Sequence, residues 1–230
     1  TGNSAFTATY KKQRFSYIFA LNTRYGQTKI EGEGVRKTDD RLSVKNRFLY
    51  DLGAEKDSDF KLFGNINFRT QFADGFQYGE APDGGDVLIS SFMAPGYLSE
   101  NAGLAYVPSE NFSFEAGLGL QQTFVEDESL STLYGLDADE TFKNEAGLTF
   151  GINYQKTLAT NLSLSSSVET FTNLNKAVSS TDLFITNQFT GKINDFMNAS
   201  LRLDFIYDDD FSKELQVAQV LSVGVSFILI

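Results

Sequence analysis

The sequence predicts an all-β fold: an antiparallel transmembrane β-barrel of about twelve strands, eleven of them visible here, occupying residues 1–230 as a single domain. Three observations predict it. Apolar and polar residues alternate with period two over segments of about ten to fifteen residues, long beside the roughly five or six of an ordinary strand. The connections between these segments are alternately short and long. The polar members of the alternation are mostly Gly, Ser, Thr and Asn, which suit a crowded lumen, whereas the surface of a soluble sheet carries more Lys and Glu.

Taken in order, Ala5 to Lys11 fits the alternation loosely, and the spacing requires a strand there. In Phe15 to Tyr25, Phe15, Tyr17, Phe19, Leu21 and Tyr25 fall on one face, with Ser16, Asn22 and Arg24 on the other. Leu42, Val44, Phe48, Tyr50 and Leu52 oppose Ser43, Lys45, Arg47 and Asp51; Phe60, Leu62, Ile66, Phe68 and Phe72 oppose Lys61, Asn65, Asn67, Arg69 and Gln71. Tyr97 to Val107 is again required mainly by spacing. Phe112, Phe114, Ala116, Leu118 and Leu120 oppose Ser113, Glu115, Gly117, Gly119 and Gln121, and Ala146 to Tyr154 sets its apolar residues against Glu145, Gly147, Thr149, Gly151 and Asn153. Leu162, Leu164 and Val168 oppose three serines and Glu169; Leu183, Ile185 and Phe189 oppose Thr186, Gln188 and Lys192. Ala199, Leu201, Leu203, Phe205 and Tyr207 oppose Arg202 and Asp204, and the last strand runs from Leu215 to Leu229. No apolar register carries a charge in mid-strand, where facing lipid would cost about 2–4 kcal/mol. Aromatics gather at strand ends: Tyr10, Tyr50, Phe60, Tyr106 and Tyr154 on the short-turn side, Tyr25, Phe72, Phe124 and Tyr207 on the long-loop side, as two interfacial girdles would.

Short connections lie at 11–14, 54–58, 107–111, 157–161 and 193–195; long ones at 27–39, 74–92, 126–141, 174–181 and 208–213. Tight periplasmic turns and longer outer loops give this pattern, and a water-soluble sandwich has no reason to; a soluble ligand-binding barrel is the alternative that alternation leaves open. With short turns inside, the last strand ends in the periplasm and the first visible one enters from outside. An even strand number then calls for one upward strand before Thr1, with both ends of the full protein periplasmic. TGNSAFTATY has no basic start followed by an apolar stretch, so the chain is expected to be processed already or to have its start upstream.

Composition narrows the chemistry. With no Cys and no His, disulfides, thiolate metal sites, cysteine nucleophiles and Ser-His mechanisms are absent, so the chain is expected not to be an enzyme and to carry no cofactor. A net charge of −11 repels phosphate backbones and argues against nucleic acid. The acidic loops EAPDGGD (80–86), VEDES (125–129), LDADE (136–140) and YDDDF (207–211) lack the spacing of a calcium loop, and solvated acids are common in loops.

The candidate site is the set of inward charges. Arg24, Arg41, Lys45, Arg47, Lys61 and Arg69 lie in the first third, and Glu115, Glu145 and Glu169 on strands roughly opposite in a closed barrel, with Arg202 and Asp204 near the end. Two outcomes stay open. The walls set up a transverse field across a narrow water path for polar solutes, or the charges pair and plug the lumen, since a barrel of about twelve strands lies between filled and open ones. The first makes a small porin-like channel; the second makes a structural or accessory subunit of a larger outer-membrane assembly. Outer-membrane lipid, lipopolysaccharide and other outer-membrane proteins are the expected partners.

Several segments resemble, in order and wording, a family of Bacteroidota outer-membrane proteins catalogued only as a domain of unknown function: NSAF, YKKQRFSY, RKTDDRL (36–42), QFADGF (71–76), SSFMAPGYL (90–98), PSENFSF (108–114), IYDDD (206–210) and QVAQVLSVGVSF (216–227). The resemblance spans essentially the whole chain. It implies a signal peptide, an outer-membrane barrel and a Trp-containing segment upstream, and it supplies no activity.

Overall fold

Alternation leaves each strand with one face that avoids water and one that meets it, and such strands are satisfied by pairing side by side. In the computed structural model, which describes residues 1–30, 32, 34–53, 58–208 and 212–225, eleven of them form one antiparallel sheet. The elements are β1 (Gly2–Lys12), β2 (Phe15–Ile30), β3 (Gly34–Asp51), β4 (Phe60–Thr70), β5 (Gly75–Gln77), β6 (Val87–Ser90), β7 (Gly96–Ser109), β8 (Phe112–Phe124), β9 (Phe142–Ala159), β10 (Leu162–Asn173), β11 (Thr181–Lys192), β12 (Met197–Asp208) and β13 (Ser212–Val225). The large sheet runs β1-β2-β3-β4-β7-β8-β9-β10-β11-β12-β13, so every strand pairs with its neighbour in sequence; β5 and β6 form a separate hairpin. All eleven predicted strands are present. Residues 54–57 of the second short turn, 209–211 of the last acidic loop and 226–230 of the final strand lie outside the described residues.

Contacts divide the chain into two compact units. The first comprises Thr1–Tyr50, Phe63–Ala102 and Leu120–Glu145; the second comprises Asp51–Leu62, Gly103–Gly119 and Ala146–Ile230. In the first unit, β1 pairs with β2 from Gly2↔Tyr25 to Lys12↔Phe15, and Tyr17 stacks on Phe48 of β3 with ring centroids 5.0 Å apart. In the second, β10 to β13 pair in unbroken succession, and Phe60–Tyr106 and Phe114–Phe150 ring pairs lie along the apolar face at 5.1 and 6.5 Å. Such cross-strand aromatic pairs fix register as well as adding contact.

The structure corrects one connection outright and refines two others. Residues 27–39, expected as a long loop, are mostly strand: β2 and β3 continue as a two-stranded ribbon to Ile30 and Gly34, with a bulge after Gly26. The alternation GQTKI/GVRKT is itself strand-forming, and Gly26 is needed because a Cβ there would press on Thr38 Oγ1 and Asp39 Cβ. Residues 74–92 contain the β5–β6 hairpin, and 126–141 contain a 3-10 helix, Glu128–Tyr134. That helix is capped by the Asp127 side chain accepting from the Ser129 N–H and ends on Gly135 at φ 75°, a conformation glycine adopts freely.

Candidate functional site

The polar registers hold the predicted charges, and each unit treats them differently. In the first, Arg24 and Arg41 lie directly opposite each other on β2 and β3, and Arg24 Nε sits 2.6 Å from Asp39 Oδ2. Lys45 faces Ala20 across the same pair, Arg47 Nη1 donates to Asn65 Oδ1 at 3.5 Å, and the Arg69 guanidinium stacks 4.6 Å from the centre of the Tyr97 ring. Glu145 belongs to this unit too and pairs with Lys143 at 3.1 Å.

In the second unit Lys61 is paired with Asp51 at 2.9 Å. Glu115 and Glu169 flank Gly151. Glu169 is its register partner on β10, and the Glu115 carboxylate reaches to 4.0 Å from where a Gly151 Cβ would stand. Arg202 Nε donates to both Asp204 oxygens, at 2.8 and 2.9 Å, and Thr186 Oγ1 donates to Asp204 Oδ1 at 2.7 Å. The ion pairs described within each unit are local, between neighbouring strands or between residues two or three apart in sequence. Local pairs of this kind neutralise a wall in place. At the short-turn end a cleft of 390 Å³ between the 159–162 and 192–197 turns holds Lys192 and Asp195 at 2.8 Å; the lysine holds the Asp195 carboxyl below its usual range, and both side chains are solvated.

Apolar side chains interrupt the polar registers, against strict alternation. Phe63 and Phe171 are buried on them, and Phe184 and Ile206 face each other across β11 and β12. Phe171 is 3% exposed, its ring lying over Gly147, where a Cβ would meet Cε2 and Cζ at 2.6 Å. Here glycine makes room for an aromatic ring on the polar side. A Cβ at Gly103 would likewise run into the backbone of Ala116 and Gly117 on the neighbouring strand. The signal was present as phenylalanines in odd register among serines and threonines, where strict alternation expects none.

The second missed feature is a folded cap made by the long loops of the first unit. Ala94, Val125, Leu130 and Leu136 form a closed apolar cluster, with Leu88 and Tyr134 packed on it. Tyr134 Oη donates to the Ile89 carbonyl at 2.6 Å, and burial, with Tyr97 close by, pushes its hydroxyl up to about 12. Gln71 Nε2 donates to the Ser91 and Ala94 carbonyls at 2.7 and 3.3 Å, and Thr70 Oγ1 donates to the Pro95 carbonyl and accepts from the Met93 N–H. Loops that the acids alone mark as solvated thus have an interior.

The comparisons with known proteins match two successive parts of the chain, each of which cuts across both units. A family model described as a protein of unknown function (DUF3078) matches residues 1–76, and another, described as protein of unknown function, DUF481, matches residues 102–227, more than half of the chain. Both agree with the resemblance to a family catalogued only by unknown-function domains. No curated protein matches the chain.

Proposed function

We propose, for a chain that belongs to the DUF481 family, an outer-membrane β-barrel without enzymatic activity that serves as a structural or accessory subunit of a larger outer-membrane assembly. One observation carries the reading. Strands paired on both sides leave their large apolar side chains uncovered: Leu62 and Ile66 on β4, Leu104 on β7 (53% exposed), Leu118 on β8 (64%) and Phe150 on β9. Their exposure belongs to the face itself and not to a free edge. An apolar face of this extent is stable in hydrocarbon and aggregates in water, so the surrounding medium is lipid and the sheet closes as a barrel. Ring-filled glycine gaps and locally neutralised charges support a lumen that is filled, and without His or Cys the usual bases and nucleophiles are missing.

The test is extraction from native outer membranes in mild detergent, followed by mass spectrometry of what remains bound. Stoichiometric outer-membrane partners are expected; a lone monomer at native abundance overturns the accessory role. A small porin-like channel for polar solutes is the second reading, favoured by the two carboxylates of Glu115 and Glu169 that lie beside Gly151 on the polar registers of β8 and β10.

A further inference from the structure

We infer that the cleft at the short-turn end of the second unit is a binding site for a short neutral saccharide. The inference goes beyond the accessory role and rests on that unit alone, whether or not the sheet closes. Pairing puts hydroxyl-bearing side chains in one row across five strands. Thr157 on β9, Ser163 on β10, Thr190 on β11, Ser200 on β12 and Ser222 on β13 are successive register partners on the polar side. The first three line the cleft, whose 390 Å³ is the room of a small-ligand pocket. Each hydroxyl can both donate and accept, and the row carries no charge, so what it matches is a ligand bearing several neutral hydroxyls.

The two turns that wall the cleft add pinned amides and a ring. The Lys192 N–H donates to the Asn161 carbonyl at 2.7 Å, and Asn161 Nδ2 donates back to the Lys192 carbonyl at 3.5 Å, which leaves Asn161 Oδ1 to accept. Asn194 Oδ1 accepts from the Phe196 and Met197 N–H groups at 3.0 and 2.7 Å, so its amide nitrogen, with two donors, is the part that a ligand can use. An acceptor and a donor already held by backbone bonds cost little to order on binding. Phe196 lines the same cleft and is 52% exposed, a ring whose apolar face suits the C–H face of a pyranose. The ion pair of the lining, Lys192 with Asp195 at 2.8 Å, neutralises itself and stands in water, so it selects for no charge. A peptide strand has no place here, because β10 and β11 are paired on both sides and offer no edge. Hydroxyls, fixed amides and an exposed ring in an uncharged cleft are the groups that recognise a sugar.

The experiment uses the full chain in micelles of a zwitterionic detergent, since a maltoside head group would itself compete. Maltotriose and chitotriose are the probes, titrated by calorimetry on the unsubstituted protein. The chain has no tryptophan, so Phe196→Trp keeps a ring in the cleft and gives a single indole whose fluorescence reports on it. Saturable binding with a Kd of about 1 mM or tighter is expected, the range open to a solvated site of this size. Preference for chitotriose identifies an amino-sugar glycan and preference for maltotriose a plain glucan, and either supports the inference. Phe196→Ala should weaken binding about tenfold by removing the ring face. Asn194→Asp keeps the oxygen that holds the turn, removes the two donors, and should also weaken binding about tenfold. Circular dichroism checks that each variant keeps its strands, and weakening by either folded variant supports the site. Absence of sugar binding to the unsubstituted protein up to about 20 mM overturns the inference. So does sugar binding that both variants leave unchanged, and so does tighter binding of inorganic phosphate or trialanine than of either sugar.

Discussion

Leu118 and Val125 belong to one strand and its immediate continuation, and they live in opposite worlds: the leucine is largely uncovered, the valine fully buried. The contrast holds for the regions around them. Along the strands the apolar residues of one face stay bare, while rings, glycines and paired charges lie on the polar side. In the cap the order is that of a water-soluble protein, with Ala94, Val125, Leu130 and Leu136 inside and the acids of 80–86 and 136–140 outside. On the proposed reading, the switch from one to the other marks where the lipid ends and water begins.

The comparison breaks most sharply in the cap. Leu130→Ala deletes a side chain from a small closed cluster, with few neighbours free to collapse into the space, and should cost about 2–5 kcal/mol of local stability. Hydrogen exchange should then show faster opening of 71–95 and 125–141 with the β9–β13 amides unchanged. Loss of protection in both regions together would mean that the cap is no separate body.

On the strands the same logic runs in reverse. Leu118→Arg places a charge on the uncovered face and should cost about 2–4 kcal/mol when that face meets hydrocarbon, read as a lower folded fraction in lipid vesicles titrated with urea. Were the face in water, an exposed leucine would be replaceable within about 0.5 kcal/mol. A neutral Leu118→Arg therefore sinks the membrane reading while leaving the sheet intact.

How much of this was legible follows from what each signal measures. Period two reports a one-sided sheet whichever side is wet, so nine of the eleven strands could be read from alternation and the other two, at Ala5–Lys11 and Tyr97–Val107, from spacing, and the ring pairs Tyr17–Phe48 and Phe114–Phe150 sit where alternation puts them. Alternation is silent about exceptions. Phe171 over Gly147 depends on two residues on different strands meeting diagonally, and neither is unusual alone. The cap was harder, because Leu130 and Leu136 are scattered among acids and their burial comes from contacts with Ala94 and Leu88, far away in sequence. Alternation puts Arg202 and Asp204 on one face within pairing reach, and only the structure adds Thr186 as a third member.

The smallest expected effect tests the cap by titration. Buried beside Tyr97, Tyr134 keeps its proton to about pH 12, whereas in an opened cap it would ionise near 10. Below pH 10 the hydroxyl is neutral in both forms and its contribution is fully present. Between about 10 and about 12 the open form loses the proton and the closed form does not, so closure weakens steadily as pH rises through that window and no further above it. Ultraviolet tyrosinate absorbance should show a late-titrating component, and Tyr134→Phe should remove that component and flatten the loss of protease resistance over the same window. The strand sheet provides the control, since no part of its stability depends on this proton. A cap that stays protease-resistant while Tyr134→Phe leaves the tyrosinate titration above pH 10 unchanged would show that Tyr134 is open to water, and that the cluster is not the sealed interior on which the contrast with the strands rests.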